Sequence, residues 1–180
     1  MIISKSMLKA AIFMDHSNIA SPVLKEGKFK DYIINYRRLR KILIQGFICV
    51  GAYAFLGVTK PIKPKKKRFL DYLEMSGFTP LYRELIRRSD GTYAQKGLDI
   101  FMSFQIDNMI PQFDVAVIVS GDADFLVIVE LLRNSQKGVQ IWSWKESMSK
   151  DLLKEVGEDN VFYIDSIWDR IKRKRKRSDP

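Results

Sequence analysis

The chain has 180 residues, of which 46% are hydrophobic and 29% charged, as expected for one soluble globular domain with its own core. A single cysteine, Cys49, excludes a disulfide framework and a cysteine zinc site within one chain. The net charge is +10, and six positive residues form the run 172–177, so a polyanion such as nucleic acid is the expected partner.

No segment predicts membrane insertion or export. The apolar stretch 42–58 is shorter than the roughly 20 residues that a spanning helix needs, and Gln45 and Gly46 interrupt it. The first apolar stretch runs directly into Asp15 without the small residues of a signal-peptide cleavage site. We therefore expect a cytoplasmic protein with no membrane partner.

The predicted elements alternate between strand and helix along the chain. The first half of the chain is predicted to contain a strand at 8–14, a loop with Pro22 and Gly27, a helix from the cap Asn35 to Gly46 and a strand at 47–55. A helix carrying Phe69, Leu70 and Leu73 then ends at Gly77, and an extended segment at 78–86 and a turn at 89–92 follow it. The second half is predicted to contain a helix at 98–109, a helix that ends at about 135 and a helix at 147–156, and strands at 114–119, 139–144 and 161–164. Strands separated by helices predict an α/β fold with a mostly parallel sheet covered on both faces. We expect one domain over 1–168, followed by a basic tail at 169–180 that is disordered or a frayed helix end.

Two acids follow the most strongly apolar strand. The run 115–119 is typical of a central parallel strand, and Ser120-Gly121-Asp122-Ala123-Asp124 comes directly after it. Open α/β sheets bind ligands at the carboxyl ends of their strands. Closely spaced carboxylates repel each other unless a cation screens them, which favours a divalent ion with oxygen ligands. The alternative is that Asp122 and Asp124 only cap the next helix.

Two more acids occupy comparable positions. Asp15 ends the first strand in Asp15-His16-Ser17-Asn18, and Asp99 begins a helix in Lys96-Gly97-Leu98-Asp99. Four carboxylates meet at one sheet edge if the strands at 8–14 and 114–119 are neighbours. The alternatives are a turn cap for Asp15 and a favourable helix N-terminal charge for Asp99. His16 is expected to be a loop histidine that faces solvent rather than a general base.

These three motifs, in this order, resemble the NYN domain family (LabA-like proteins), a branch of the PIN-like nucleases, over residues 8–164. The resemblance implies a three-layer α/β/α sandwich and RNA cleavage that depends on Mg²⁺ or Mn²⁺. It implies catalytic and metal-binding roles for Asp15, Asp99, Asp122 and Asp124. Asn18 and Ser120 are the expected polar residues beside them, and Asp107 is left out because it is displaced from the family's usual acidic position.

Two basic clusters and the motif lysine are expected to hold an RNA backbone without reading its bases. These residues are Lys63, Lys65, Lys66, Lys67, Arg68, Lys96, Lys172, Arg173, Lys174, Arg175, Lys176 and Arg177. The alternative is that the clusters are solvated and serve only solubility.

The leading functional hypothesis is a metal-dependent endoribonuclease that cleaves single-stranded or flexible RNA with a metal-activated water. The first alternative is a non-catalytic PIN-like module that binds RNA or acts as a regulator in a larger assembly. A nucleotide-sugar transferase that binds a Mn²⁺-diphosphate is a third class, but it leaves Asp15 and the basic tail unexplained. The sequence leaves open the RNA target, the number of ions and whether the chain forms a homo-oligomer.

Overall fold

The computed structural model describes residues 7–25, 29, 31–94 and 96–176. Its helices are α1 (His16–Lys25), α2 (Tyr36–Leu43), α3 (Pro64–Met75), α4 (Leu98–Met109), α5 (Leu126–Asn134), α6 (Lys150–Val156) and α7 (Ile164–Ile171). Its strands are β1 (Lys9–Asp15), β2 (Tyr32–Ile34), β3 (Ile48–Val58), β4 (Thr79–Glu84), β5 (Ile86–Arg87), β6 (Tyr93–Ala94), β7 (Val115–Val119), β8 (Gly138–Ser143), β9 (Val161–Tyr163) and β10 (Lys172–Lys174).

The central sheet has six strands in the order β4-β3-β1-β7-β8-β9, and every neighbouring pair is parallel. Helices α1, α2, α3 and α7 pack on one face, and α4, α5 and α6 pack on the other. The predicted α/β architecture, with helices on both sides of a parallel sheet, is confirmed.

Alternation along β1 shows how the sequence builds both cores. Ala10, Ile12 and Met14 contribute to one core, whereas Ala11 and Phe13 contribute to the other. All five side chains are 0% exposed. Burying a large apolar side chain contributes about 1.5–3 kcal/mol, so the central strands hold the two layers of helices together.

The chain reverses its direction of travel across the sheet between β1 and β7. From β1 it moves outward to β3 and β4, and it then returns to place β7 on the other side of β1. Such a switch point opens a crevice at the carboxyl ends of the two central strands. The fold therefore places a ligand-sized opening where Asp15 and Asp122 are found.

Most of the predicted elements between residues 35 and 164 are present. Asn35 caps α2 by accepting a hydrogen bond from the Arg38 amide at 3.1 Å, and α4 has its predicted bounds. The predicted loop around Pro22 is wrong, because α1 includes this proline. Burial of Ile19 and Val23 in the core stabilises the helix despite the backbone hydrogen bond that a proline removes.

The basic C-terminal segment is also more ordered than predicted. Strand β10 pairs antiparallel with β2, and Arg175 continues the contact by donating its amide to the Asp31 carbonyl at 2.8 Å. The Lys172 ammonium lies 5.1 Å from the Tyr32 ring centroid. Disorder or fraying is therefore wrong for residues 172–174, and α7 runs through position 168 to Ile171.

In the part of the chain that the structure describes, every helix is too short or too polar to cross a membrane.

We expect strand β10 to stabilise the domain through its backbone rather than its charges. Ending the chain after Ile171 removes the pairing with β2. Because each lost backbone hydrogen bond contributes about 1 kcal/mol, the loss is about 2–3 kcal/mol, or about 5–10 °C in Tm. Calorimetry measures it. The control, K172T/R173T/K174T, keeps the strand and should stay within a few degrees of wild type; an unchanged Tm in the truncated chain would contradict this role.

Candidate active site

Asp15 and Asp122 line one cavity of about 430 Å³ at the carboxyl ends of β1 and β7. The pairing of these strands brings the two acids together, since Met14 lies opposite Val119. Polar residues of α1 and of the segment after β8 complete the lining, which consists of Asp15, Ser17, Asn18, Ser21, Pro22, Asp122, Glu146 and Ser147.

Asp15 is held by the first turn of α1. Its Oδ1 accepts hydrogen bonds from the Ser17 amide at 2.9 Å, the Ser17 hydroxyl at 2.7 Å and the Asn18 amide at 3.3 Å. Asp15 therefore does cap the first turn of α1, which was the alternative interpretation of its position. Among the described residues these bonds all go to Oδ1, so capping leaves Oδ2 available for another ligand.

The Asp15 carboxyl is harder to ionise in the folded protein than a carboxyl in water, because its pKa is raised. Burial raises its pKa above the ordinary value, the bonds from Ser17 and Asn18 oppose this rise, and the nearby Asp122 carboxylate adds to it. A cation bound in the cavity would offset both the cost of burying the charged Asp15 carboxylate and its repulsion by Asp122.

Asp122 is exposed and lies in a tight turn after β7. Its Oδ1 accepts a hydrogen bond from the Asp124 amide at 3.1 Å and so caps the short 3₁₀ turn Ala123–Phe125. Its own amide donates to the hydroxyl of the fully buried Ser120 at 3.3 Å. Ser120 thus supports the turn that carries Asp122.

Asn18 and Gly121 connect the two central strand ends. The Gly121 amide donates to Asn18 Oδ1 at 3.2 Å, and the Gly121 carbonyl accepts from the Ser149 amide at 2.9 Å. A Cβ at position 121 would overlap Ser143 Oγ and the Ser147 carbonyl oxygen. Only glycine lets the β7 turn approach the β8 segment this closely.

Glu146 is a cavity residue that the sequence interpretation missed. It lies in the 3₁₀ turn Lys145–Ser147, directly after β8, the other neighbour of β7. The signal was available, because an acid follows the predicted strand 139–144 as others follow the strands at 8–14 and 114–119. It was overlooked because it belongs to none of the three family motifs.

Asp99 and Asp124 are not among the residues that line this cavity. Asp99 is half-buried in the first turn of α4, where Gly97 enters the helix with φ of +67°. Asp124 and Asp107 are exposed. The structure therefore joins two of the four predicted acids and adds a third that was not predicted.

The donor set suits a hard cation held in part by its substrate. Within the described ranges, no group of three or more acidic, histidine or cysteine side chains is arranged to hold a metal ion by itself. Mg²⁺ commonly uses one or two carboxylates, several waters and the phosphates of a substrate. Asp15 and Asp122, with the neighbouring amide and hydroxyl oxygens, fit that manner of binding.

A second cavity of about 430 Å³ lies on the other side of α1. Lys63, Lys65, Lys66 and Arg175 line it together with aromatic residues. Arg173 and Lys176 line a neighbouring depression of about 390 Å³. Six of the predicted RNA-binding residues therefore border two adjoining cavities.

The other predicted basic residues are distributed more widely. Lys67, Arg68 and Lys96 are exposed, Lys174 is exposed at the end of β10, and Lys172 forms an ion pair with Asp169. Arg177 lies outside the described residues.

His16 is half-buried at the start of α1 rather than in a solvent-facing loop, so that prediction is wrong. Its Nε2 lies 2.8 Å from the Tyr36 hydroxyl, and its ring centroid lies 4.8 Å from that of Phe69. Burial, with a smaller contribution from Lys66, lowers the pKa of the imidazole to about 3. His16 is therefore neutral at pH 7 and belongs to the wall of the second cavity.

The raised pKa of Asp15 predicts a pH-dependent gain in stability from Asp15→Asn. The amide keeps an oxygen that can cap α1 but carries no charge. Below about pH 4 the Asp15 carboxyl is neutral in both the folded and the unfolded wild type, so its ionisation does not affect stability there. As pH rises above this value and through the raised folded-state pKa, the buried carboxyl must ionise and the wild type loses stability. In chelator, the Tm of the variant should exceed that of wild type near neutral pH, and the difference should shrink towards about pH 4. Thermal melts across pH, with exposed Asp107→Asn as the control, measure it; a gap independent of pH would contradict this account.

Comparison with known proteins agrees with the fold and the motifs. Residues 9–165 match the profile of the NYN domain. The chain is 29% identical over 151 residues to the low amplitude and bright protein LabA of Synechococcus elongatus, covering 80% of this chain and 78% of that protein. A solved protein of unknown function from Vibrio parahaemolyticus superposes with a TM-score of 0.74 at 25% identity, covering 89% of this chain and 95% of the other. On the extent of the NYN match, this chain belongs to the NYN domain family.

Proposed function

We propose that this protein is a metal-dependent endoribonuclease that cleaves single-stranded or flexible RNA. The observation that carries the proposal is the meeting of Asp15 and Asp122 in one cavity at the switch point of the sheet. Membership of the NYN family, a branch of the PIN-like nucleases, supports the same chemistry.

Asp15 and Asp122 hold the ion, and Glu146 adds negative charge to the same cavity. A bound Mg²⁺ or Mn²⁺ supplies an acidified water and offsets the charge of the reacting phosphate. The hydrogen bonds from Ser17 and Asn18 orient the Asp15 carboxylate, and the Asn18 bond to Gly121 keeps the two strand ends together. Asp99 and Asp124 do not line the cavity, and we propose that they act through the bound phosphate or the water molecules around the ion.

RNA fits the distribution of charge around the site. The acidic cavity and the basic second cavity lie on the two sides of α1, so a polyanion can be held on one side while its backbone is cut on the other. Contacts from exposed lysines to phosphates are independent of sequence and weaken with salt.

A second candidate is a PIN-like module that binds RNA without cleaving it. The observation in its favour is that the cavity is lined by two rather than four of the predicted acids. Both functions require RNA binding, and only the nuclease requires the acids for turnover.

Asp122→Asn should separate chemistry from binding. The amide retains the shape of the side chain but lowers affinity for the ion, so cleavage of a labelled single-stranded RNA with Mn²⁺ should fall by about 10² or more. In chelator the Tm should equal or exceed that of wild type, because repulsion with Asp15 is removed.

The matched control is Asp107→Asn, the same change at an exposed position of α4. It should cleave like wild type. Normal cleavage by Asp122→Asn would refute the role of this acid, and binding without cleavage by the wild type in Mn²⁺ would establish the non-catalytic alternative.

A further inference from the structure

The second cavity is built from three helices and one strand. The α1 face presents His16, Ala20 and Val23, which are spaced so that they share one side of the helix. The remaining walls come from Ile33 and Ile34 of β2, Tyr36 of α2, and Phe69 and Tyr72 of α3. The volume of about 430 Å³ lies within the range of about 300–1,000 Å³ that is typical of ligand sites.

Aromatic rings form the inner wall. The Tyr36 centroid lies 5.9 Å from Phe69 and 6.0 Å from Tyr72, both in edge-to-face arrangements. Phe69 and Tyr72 are half-buried, and the Arg173 guanidinium lies 5.6 Å from the Tyr72 centroid. Because the His16 imidazole and the Tyr36 hydroxyl are bonded to each other, this wall offers ring surfaces more than free polar groups.

Cations surround these rings. Lys63, Lys65 and Arg175 are exposed, and the Lys66 ammonium lies 5.4 Å from the Phe69 centroid. None of the described residues that line the cavity is acidic. The pairing of β10 with β2 and the bond from the Arg175 amide to Asp31 fix Arg175 at this position.

One ligand class matches both features. A purely apolar partner leaves four cations without counterions, and inorganic phosphate leaves the aromatic wall unused. A nucleotide combines an anionic phosphate with a flat base, and proteins bind unpaired bases by stacking them on aromatic side chains.

The two cavities are close enough to hold one strand. Ser17, Asn18 and Ser21 of α1 face the first cavity, whereas His16, Ala20 and Val23 face the second, so one helix about 10 Å wide divides them. A stacked nucleic-acid strand advances about 3.4 Å per nucleotide, and more when extended, so about three nucleotides or fewer cross this helix.

We propose that the second cavity binds one unpaired nucleotide of the RNA strand, with its base against Phe69 and Tyr72 and its phosphate at Lys63, Lys65, Lys66 and Arg175. The proposal rests on the proposed ribonuclease function, because it places this nucleotide within a few residues of the phosphate that is cut. The proposal predicts a preference for single-stranded RNA, since a paired base cannot enter the cavity.

The test compares strands with and without bases. Fluorescence anisotropy in chelator, where no strand is cut, measures binding of a fluorescein-labelled oligoadenylate of twelve nucleotides and of a matched strand made of abasic residues. Stacking of one base contributes about 1–3 kcal/mol, so wild type should bind the oligoadenylate roughly tenfold more tightly.

Phe69→Leu removes a ring but keeps an apolar side chain. It should weaken binding of the oligoadenylate about five- to tenfold and leave binding of the abasic strand unchanged. Tyr72→Leu provides a second variant with the same expected result if Phe69→Leu does not fold. Phe162→Leu is the matched control. Phe162 is also half-buried, but it lies on β9 at the edge of the sheet, where it stacks on Trp142 of β8.

Lys65→Gln should behave differently. It should weaken both strands equally and reduce the slope of log affinity against log salt by about 0.7, the value for one phosphate contact on a single strand. The matched control is Lys154→Gln, which removes an exposed charge from α6 on the opposite face of the sheet.

Equal weakening of both strands by Phe69→Leu and Tyr72→Leu, or no effect on either, overturns the proposal. Tight binding of free AMP that leaves oligoadenylate affinity unchanged also overturns it, because the occupant would then be a free nucleotide. Failure of the nuclease function remains distinguishable: a wild type that shows the base-dependent binding but never cleaves with Mn²⁺ keeps this site and loses the catalytic one.

Discussion

The parallel pairing of β1 with β7 is the constraint on which the site depends. Its register places Met14 beside Val119, so both strands end at nearly the same level of the sheet and the acids that follow them line one cavity. The Asn18 side chain then ties the two ends together through the Gly121 amide. A shift of one residue in this register would turn the apolar side chains of β7 towards the wrong core and separate Asp15 from Asp122.

Helix α1 separates the acidic cavity from the basic one. One side carries the hydroxyl and amide groups that orient Asp15, and the other side packs His16 against Phe69 and lines the basic cavity. Trp144 fixes the helix from beneath, because its indole Nε1 donates to the Ile19 carbonyl at 2.9 Å in the buried core. This bond helps to fix α1 between the acidic and basic cavities, as the proposed binding of one RNA strand to both would require.

The sequence predicted those elements whose signals lie in neighbouring residues and missed those that depend on distant parts of the chain. The apolar run 115–119, the cap at Asn35 and the helix 98–109 carry their signals in neighbouring residues, and the structure agrees with each. Helix α1 was missed because Pro22 is a strong local breaker, whereas the burial of Ile19 that opposes it comes from distant parts of the chain. The order of β10 and the burial of His16 likewise depend on partners, β2 and Phe69, that no local pattern reveals. Asp15 and Asp122 line one cavity because their strands are neighbours, whereas Asp99 and Asp124 do not line it. The catalytic and metal-binding roles of all four acids stay predictions.

The pairing of β10 with β2 has a consequence for the order in which the protein matures during synthesis. The acidic cavity is assembled from residues 15–147, whereas the basic one also needs Arg175, which is translated later. Because domains generally fold as units, the two cavities are expected to form together, once β10 has been made and can pair with β2. The late synthesis of β10 would thus postpone RNA binding at the proposed second cavity until nearly all of the domain has been made.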